Sequence, residues 1–386
     1  MPSITRRRVL AAVGGIGALS IGALGVESVA GPAPTFHEAS VPDGDWPAHR
    51  RDSRRTAAAP NARRATEEPH VDWEVEVPDQ SALVVADGRA YVGGERGVAA
   101  VVLEDGSELW TSDAPGETLC HAGDTVYCGE SRYGTLTALE NDTGERRFEL
   151  EESFHRVWDP LALEDVLLVG DHGMLRGCDP ATGAVEWERN IGGNGDVYPA
   201  VADERLYVGG PGPLETYGPR EGWDAVRHDG PQQLERGIGP VFATAPAVSD
   251  GVYLGGHAGL RETAAFEFDR DGRPVWEGPS GHNVSSPALA GDHGVLWSQN
   301  REREPEYQVH GIDLETGETN WSEPFEDVPA TPVVAGGLAI VGGRDGSLVA
   351  LEPETGDSVW ETVLENRVGI VVPSADLLLT VGWDVG

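Results

Sequence analysis

One short pattern recurs along the chain at a nearly regular interval: a glycine is followed four residues later by a large apolar residue. Its six clear copies are Gly106–Trp110, Gly144–Phe148, Gly183–Trp187, Gly272–Trp276, Gly317–Trp321 and Gly356–Trp360. A weaker copy, Gly222–Val226, fills the long gap between them, and Trp73 supplies the aromatic residue without the glycine. Successive copies are 37 to 50 residues apart. Such a period indicates one supersecondary unit per repeat, with each unit stacked on its neighbours.

Each repeat has the same internal order, as the last complete unit illustrates. The apolar stretch Thr331–Ala335 is followed by a turn at Gly336-Gly337 and by a second strand that ends at Gly342-Gly343. A third strand at Ser347–Leu351 then leads into a fourth strand that carries Trp360. Four short antiparallel strands per repeat are typical of a propeller blade. The sequence therefore predicts an all-β protein, a β-propeller of eight four-stranded blades.

The two ends of the repeat region are each incomplete. Trp73–Val77 resembles an outer strand without a blade, and Gly369–Gly382 supplies only a first hairpin. We expect these two pieces to share one blade, because closure of the ring through the termini removes exposed sheet edges. The alternative is a seven-blade ring in which the Val226 unit or the terminal hairpin is not a blade.

The amino terminus has the three parts of an export signal. Arg6-Arg7-Arg8 precedes the apolar, glycine-rich run Val9–Val26, and Ser28-Val29-Ala30 offers small residues for cleavage. Paired arginines in this position indicate the twin-arginine route. We predict a signal peptide at 1–30, a polar Arg/Ala/Pro-rich lead-in at 31–70 and the propeller at 71–386, exported to the outer cell surface or the extracellular medium. Retention of the signal as an anchor is the alternative.

The chain is strongly acidic. It has 65 acidic residues against 28 basic ones, a formal net charge of −37, and every one of its basic residues other than histidine is an arginine. At molar salt the screening length falls to about 3 Å, so a dense carboxylate surface remains soluble. The composition therefore predicts adaptation to high salt. It argues against nucleic acid as a partner, because phosphate binding requires basic patches.

The repeat resembles a known family. Units such as Tyr91–Gly94, Leu348–Leu351 and Thr355–Trp360 resemble the pyrroloquinoline quinone (PQQ)-type propeller repeat. Trp46–Asp52, followed by Arg55-Thr56, resembles the amino-terminal lead-in of such proteins. The resemblance covers residues 46 to 383 and implies a quinoprotein alcohol dehydrogenase-like fold, similar to the outer-membrane assembly factor propeller. The acidic composition suggests a haloarchaeal-type exported member.

The resemblance also implies what an enzyme of this family would need. Its dehydrogenases use adjacent cysteines, a calcium ion bound by Glu, Asn and Asp, and an aspartate base. This sequence has no adjacent cysteines and lacks the long substrate-covering insertions of those enzymes. We therefore predict a non-catalytic extracytoplasmic scaffold or binding protein, without a cofactor or a resident metal, whose partner is a protein, a sugar or a small ligand. The alternative is a PQQ- or metal-dependent oxidoreductase, with PQQ and calcium bound on the axis.

Two sets of residues are assigned roles in advance. The large apolar residues of the fourth strands are predicted to be wedges between blades, namely Trp73, Trp110, Phe148, Trp187, Trp276, Trp321 and Trp360. Binding is expected on the face where the loops between blades gather. The candidates there are Arg156, Trp158, Asp159, Asp171, His172, Tyr198, His282, Asn283, Arg344 and Asp345. Of the three cysteines, Cys120 and Cys128 could bridge neighbouring strands, whereas Cys178 is expected to be a small buried apolar residue.

Overall fold

The computed structural model describes residues 36–38, 40–77, 81–150, 154–193, 195–219, 231–236, 244–257, 263–374 and 376–382. Within these ranges the chain forms 32 strands and no helix, so the prediction of an all-β protein is confirmed. The same ranges contain no helix that could span a membrane. The predicted signal segment and the weak Gly222–Val226 repeat lie outside the described residues.

Seven sheets follow one another along the chain, and we number them blades 1 to 7. Blade 1 contains β2 (Ala82–Ala86), β3 (Arg89–Gly94), β4 (Gly97–Val102) and β5 (Glu108–Ser112). Blade 2 contains β6 (Thr118–Ala122), β7 (Thr125–Gly129), β8 (Leu136–Glu140) and β9 (Arg146–Leu150), and blade 3 contains β10 (Trp158–Ala162), β11 (Leu167–Asp171), β12 (Met174–Cys178) and β13 (Val185–Asn190). Blade 4 contains β14 (Tyr198–Ala202), β15 (Arg205–Gly209), β16 (Glu215–Gly218) and β17 (Gln232–Arg236).

Blades 5 to 7 repeat this plan with small additions. Blade 5 contains β18 (Ala247–Val248), β19 (Val252–His257), β20 (Thr263–Phe268) and β21 (Pro274–Gly281). Blade 6 contains β22 (Asn283–Val284), β23 (Ala288–Ala290), β24 (His293–Gln299), β25 (Tyr307–Asp313) and β26 (Thr319–Phe325). Blade 7 contains β27 (Val333–Ala335), β28 (Leu338–Gly342), β29 (Ser347–Leu351) and β30 (Ser358–Val363). In blade 6, β22 and β23 both pair with β24. In blade 7, the short strand β1 (Ala58–Ala59) adds to β27 in parallel.

A two-stranded sheet follows blade 7, and we call it the terminal hairpin. It consists of β31 (Ile370–Ser374) and β32 (Leu377–Val381), paired antiparallel. Strand β31 contacts both β27 of blade 7 and β2 of blade 1. The segment Trp73–Val77, predicted as an outer strand, is not a strand in the structure. The reason is that the described residues contain no third strand beside the terminal hairpin with which it could form a ladder.

The position of a strand in its blade decides its burial. In blade 7, β28 is buried at every position, whereas most residues of β30 are at least partly exposed. Inner strands are covered by the neighbouring blades on both faces, so they can be apolar throughout. The connections between blades and between second and third strands lie on one side, which we call the loop face. The hairpins between first and second strands and between third and fourth strands lie on the opposite turn face.

Glycines on the turn face receive the aromatic residue of the preceding blade. Gly144 and Gly356 have φ angles of 71° and 79°, a backbone region that side-chain-bearing residues rarely adopt. A Cβ atom on Gly144 would lie 2.6 Å from the ring of Trp110, and one on Gly356 would lie 2.7 Å from the ring of Trp321. Only glycine satisfies both conditions, which explains why this residue is required in these turns of the repeat.

The indole N–H groups of the predicted wedges follow a rule. Four of the six donate to the carbonyl three residues before the glycine of the next turn, in the pairs Trp73–Leu103 (3.0 Å), Trp110–Asn141 (2.9 Å), Trp276–Leu314 (3.0 Å) and Trp321–Pro353 (2.8 Å). Trp360 donates instead to the carbonyl of Ala65 in the lead-in, at 2.9 Å. The buried N–H of Trp187 has no acceptor among the described residues. Phe148 has no such donor, and its ring packs at Gly183.

The three cysteines are free and buried. In the ladder between β6 and β7, Cys120 lies opposite Tyr127 and Cys128 lies opposite Leu119. Side chains on neighbouring positions of a ladder point to opposite faces of the sheet. The bridge between Cys120 and Cys128 that the sequence left open is therefore not formed.

Candidate functional site

The lead-in crosses the turn-face end of the propeller axis and bonds to the innermost strands around it. Its backbone hydrogen bonds are Trp46 N–H to Val85 O (2.7 Å), His121 N–H to Pro47 O (2.7 Å), Val201 N–H to Ser53 O (2.6 Å), Val248 N–H to Arg54 O (2.8 Å), Leu289 N–H to Thr56 O (2.9 Å) and Val334 N–H to Ala57 O (2.8 Å). The hydroxyl of Ser374 in the terminal hairpin donates to Gly44 O. Blades 1, 2, 4, 5, 6 and 7 and the terminal hairpin are therefore all joined to this one segment.

Blade 3 is joined to the lead-in by a buried ion pair. Nη1 of Arg55 lies 2.9 Å from Oδ1 of Asp159, and the two side chains are 0% and 3% exposed. Nδ1 of His49 lies 3.2 Å from the same oxygen. Burial opposes ionisation of Asp159, but Arg55, His49 and Arg50 together hold the pKa of this carboxyl below its usual range. Asp159 is therefore a carboxylate that fixes the lead-in.

A second arginine of the lead-in is held differently. Arg50 is buried, and its guanidinium donates to the backbone carbonyls of Arg55, Ser286 and Pro287. Among the residues that the structure describes, no carboxylate lies within ion-pair distance of it. Burial and repulsion from Arg55 lower the pKa of Arg50 to about 10. Asp52 and Asp159 oppose this lowering from beyond ion-pair distance, so Arg50 is a buried cation that no carboxylate of the described residues pairs directly.

His49, Arg50 and Asp159 line a cavity of ≈ 250 Å³ on the axis. Trp46, His49, Arg50 and Ala57 of the lead-in line its base. Its walls are the first strands of blades 1, 2, 3 and 7 and the terminal hairpin, lined by Leu83, Val84, Leu119, Trp158, Val333, Val371 and Val372 among others. Ser81, Glu117, Thr118 and Thr331, which lie at the loop-face ends of these strands or just before them, also line it. The cavity therefore opens towards the loop face.

Six of the ten predicted binding residues lie together on blades 3 and 4. Trp158 and Asp159 line the cavity, and Tyr198 begins the first strand of blade 4. Burial raises the pKa of Tyr198, so it is a neutral phenol. Arg156 is exposed and pairs with Asp196 at 3.1 Å. The structure therefore brings these residues near one another, with Asp159 buried and Arg156 exposed.

The remaining two residues of this cluster, Asp171 and His172, have different roles. The side chain of Asp171 is fully buried, and its Oδ1 accepts the backbone N–H groups of His155, Arg156 and His172 at 3.0, 2.9 and 2.8 Å. Its Oδ2 lies 2.6 Å from Nη1 of Arg176. Asp171 therefore fixes two loops, while the imidazole of His172 remains exposed with the ring of His155 6.4 Å away.

The other four predicted residues lie on other blades. His282 and Asn283 stand at the entry to blade 6, where His282 bonds to the backbone of Gln299 and Arg301 and Asn283 to the side chain of Gln299. Arg344 and Asp345 form a loop of blade 7, in which the Asp345 carboxylate accepts bonds from Ser347. These residues stabilise their own turns and do not line the axial cavity.

Sequence reasoning missed the floor of the cavity. His49, Arg50 and Arg55 were noted only as part of a lead-in that precedes the propeller. One signal was available: in a chain with a net charge of −37, the stretch from Arg50 to Arg64 is the one basic run outside the signal segment. Buried arginines need acceptors, and many inner strands converge on the axis to supply them.

The cavity does not suit a quinone with calcium. Its lining has two carboxylates, Glu117 and Asp159, and no cysteine. Asp159 is already paired with Arg55, and Glu117 accepts bonds from the backbone and hydroxyl of Ser131. Two buried arginines next to this position would repel a divalent cation. The described residues also contain no group of three or more His, Cys, Asp or Glu arranged to hold a metal.

Repeated four-stranded sheets around an axial cavity define a β-propeller. Comparison with known proteins identifies the family of propellers to which the chain belongs. The family model described as outer membrane protein assembly factor BamB matches residues 64–203 and 214–377. The chain belongs to this family, and the resemblance to the PQQ-type repeat is confirmed. A curated relative, the outer membrane protein assembly factor BamB of Burkholderia pseudomallei (strain K96243), is 25% identical over 194 residues, covering 48% of this chain. The chain spans about half of that relative, 47% of its length.

Solved structures share the fold at low identity. BamB from Moraxella catarrhalis is 18% identical, with a TM-score of 0.57 over 78% of this chain and 95% of that one. Quinohemoprotein alcohol dehydrogenase from Comamonas testosteroni is 14% identical, with a TM-score of 0.61 over 85% of this chain and 74% of that one. At such identities the likeness concerns the fold and not the activity.

Proposed function

We propose that this chain is a non-catalytic scaffold of the outer cell surface that binds a protein partner on its loop face. Membership of a family described as an assembly factor supports binding in preference to catalysis. The mismatch between the axial cavity and a calcium–quinone pair argues against the oxidoreductase alternative. Residues 1–30, with paired arginines before an apolar run, support export by the twin-arginine route.

The observation that carries the proposal is the way in which Asp171 holds the loop face of blade 3. One buried carboxylate accepts hydrogen bonds from three backbone N–H groups of two loops and forms an ion pair with Arg176. The exposed side chains of Arg156 and His172 therefore stand on loops that are already ordered. A partner that binds here does not have to bear the entropic cost of fixing these loops.

Neighbouring loops extend the same surface. Tyr133, in the loop between β7 and β8, exposes 67% of its area. Next to it, Arg132 pairs with Glu95 of blade 1 at 3.3 Å. Arg156 pairs with Asp196, in the loop that leads into blade 4. Aromatic and arginine side chains on preformed loops are the types that contribute most to protein interfaces.

We also propose eight blades closed by the terminal hairpin, which would give the scaffold a rigid ring. The contacts of β31 with β2 and β27 support this arrangement. The hydrogen bond from the Trp360 indole to the carbonyl of Ala65 also supports it. In three of the earlier blades this acceptor comes from the next blade, and at Trp360 the lead-in supplies it instead.

Site-specific photocrosslinking tests the proposal. A benzophenone amino acid is placed at Tyr133 or His172 on the loop face, and at Thr319 on outer strand β26 as the matched control. After illumination of intact cells, we expect a covalent protein adduct of one size at both loop-face positions and none at the control. Equal adducts at all three positions, or none at any, would contradict a specific partner on the loop face.

Reconstitution with PQQ and calcium, followed by dye reduction with alcohols and sugars, tests the alternative. A non-catalytic scaffold shows no substrate-dependent reduction above the rate without protein. Turnover that depends on added PQQ would establish the oxidoreductase alternative instead.

A further inference from the structure

The axial cavity has the properties of a ligand site that is separate from the loop-face surface. Most of its wall is aliphatic, and its polar groups lie at the floor that the lead-in provides and at the loop-face mouth, where Glu117 stands. Its volume, ≈ 250 Å³, is below the range of about 300–1,000 Å³ for drug-sized ligands.

The charge of the floor selects the sign of a ligand. The negative charge of Asp159 is neutralised by Arg55 at 2.9 Å. Arg50 remains as a buried cation whose three bonds go to neutral carbonyl groups. Asp52 and Asp159 act on Arg50 only from beyond ion-pair distance, so an anion that reaches Arg50 directly gains from an interaction that water screens only weakly.

The donors of Arg50 match a carboxylate. A guanidinium has five N–H groups. In Arg50, Nε, Nη1 and Nη2 each donate one bond to the backbone, to Arg55, Ser286 and Pro287 respectively. Within the described residues, one N–H on each of Nη1 and Nη2 therefore remains as a donor for an anionic oxygen.

The carboxylate of Glu117 limits a ligand of the cavity to a single negative charge. Glu117 lies in the wall, and its carboxylate is held by Ser131. A second anionic group on a short ligand would approach this carboxylate or that of Asp159. The aliphatic wall also gives no partner to further polar groups deep in the cavity.

We propose that the axial cavity binds a small apolar monocarboxylate, with its carboxylate on Arg50 and its apolar body against the first strands. A short branched-chain or aryl carboxylic acid has the right size, polarity and charge. The ligand enters from the loop face, because the lead-in closes the opposite end.

Isothermal titration calorimetry with three probes of equal size tests this inference. The probes are benzoate, the neutral benzamide and the cationic benzylamine, each titrated into the full chain in the same buffer of molar potassium chloride. We expect benzoate to bind at least tenfold more tightly than benzamide, and benzylamine not to bind. Equal affinities for benzoate and benzamide, or no heat from benzoate at millimolar concentration, would overturn the proposal.

Two variants locate the site. Arg50→Met removes the cation, and we expect it to weaken benzoate binding at least tenfold, whereas Arg64→Met, whose exposed arginine pairs with Glu352 outside the cavity, leaves binding unchanged. Because Arg50 also bonds to the backbone, Thr331→Trp provides a test that leaves the floor intact by filling the mouth. We expect Thr331→Trp to abolish benzoate binding, and Thr319→Trp on an outer strand to have no effect. Unchanged affinity in Thr331→Trp would refute the assignment of the cavity.

Discussion

Replacement of Arg55 by methionine should destabilise the whole propeller more than any other single change in the lead-in. Arg55 is fully buried, and besides its ion pair with Asp159 it donates to the carbonyls of Pro199 and His49. Removal of one partner from a buried ion pair typically costs about 3–5 kcal/mol, because the other charge is left without compensation. Total stabilities of domains are about 5–15 kcal/mol. A loss of this size therefore approaches the limit of folding.

The free energy of unfolding would be measured by urea titration in molar salt, followed by tryptophan fluorescence. The control is Arg64→Met, which breaks a partly exposed pair with Glu352; exposed pairs contribute about 0–1 kcal/mol. The double variant Arg55→Met/Asp159→Asn should recover part of the loss, because it removes both charges. If Arg55→Met lost no more stability than Arg64→Met, the lead-in would not be a structural part of the ring. The conclusion that the ion pair between Arg55 and Asp159 fixes it there would then be wrong.

Four further outcomes follow from the same structure. Deletion of Val371–Gly386 should lower the unfolding midpoint of the entire ring, because β31 contacts both β2 and β27; an unchanged midpoint would contradict closure by the hairpin. In urea titrations, Trp360→Phe should cost more stability than Trp187→Phe, since Trp360 loses an indole hydrogen bond whereas Trp187 has no acceptor among the described residues. Removal of either ring by alanine should cost about 3–5 kcal/mol. Circular dichroism should show loosening of the fold as salt falls from molar to 0.1 M, where the screening length reaches about 10 Å; an unchanged spectrum would refute salt adaptation. Burial raises the pKa of Glu267 to about 7, so the folded state favours the protonated form of this side chain. The folded state therefore loses stability as the pH rises from the ordinary carboxyl range towards 7, and Glu267→Gln should remove this loss. Identical pH profiles of stability for the wild type and the variant would contradict this prediction.

The blade repeat could be predicted from sequence because its signals are local. A glycine in the turn and an aromatic residue four positions later are constrained by the backbone and by the next turn in the chain. Gly356 illustrates this, with φ of 79° and the Trp321 ring against it. The strand at Trp73–Val77 could not be predicted correctly, because a strand needs a partner and the described residues offer none beside it.

The residues predicted to bind a ligand or partner have different roles in the structure. Asp171 was chosen as a binding residue on the loop face, and the structure shows it as a buried acceptor that orders two loops. Its neighbour Trp158 was chosen for the same reason and does line the cavity. Sequence position identifies the loop, but whether a side chain points into the loop or away from it depends on the packing of the whole blade.

What the sequence determined by itself was the all-β class, the blade unit and the positions of the aromatic residues between blades. Each depends on residues that are close in the chain. The floor of the axis was decided only by the tertiary structure: Arg55 reaches Asp159 across 104 positions, and Arg50 reaches Ser286 across 236. A buried cation is stable only where acceptors from several distant strands converge. That convergence exists once the ring has formed, and no local pattern in the chain reports it.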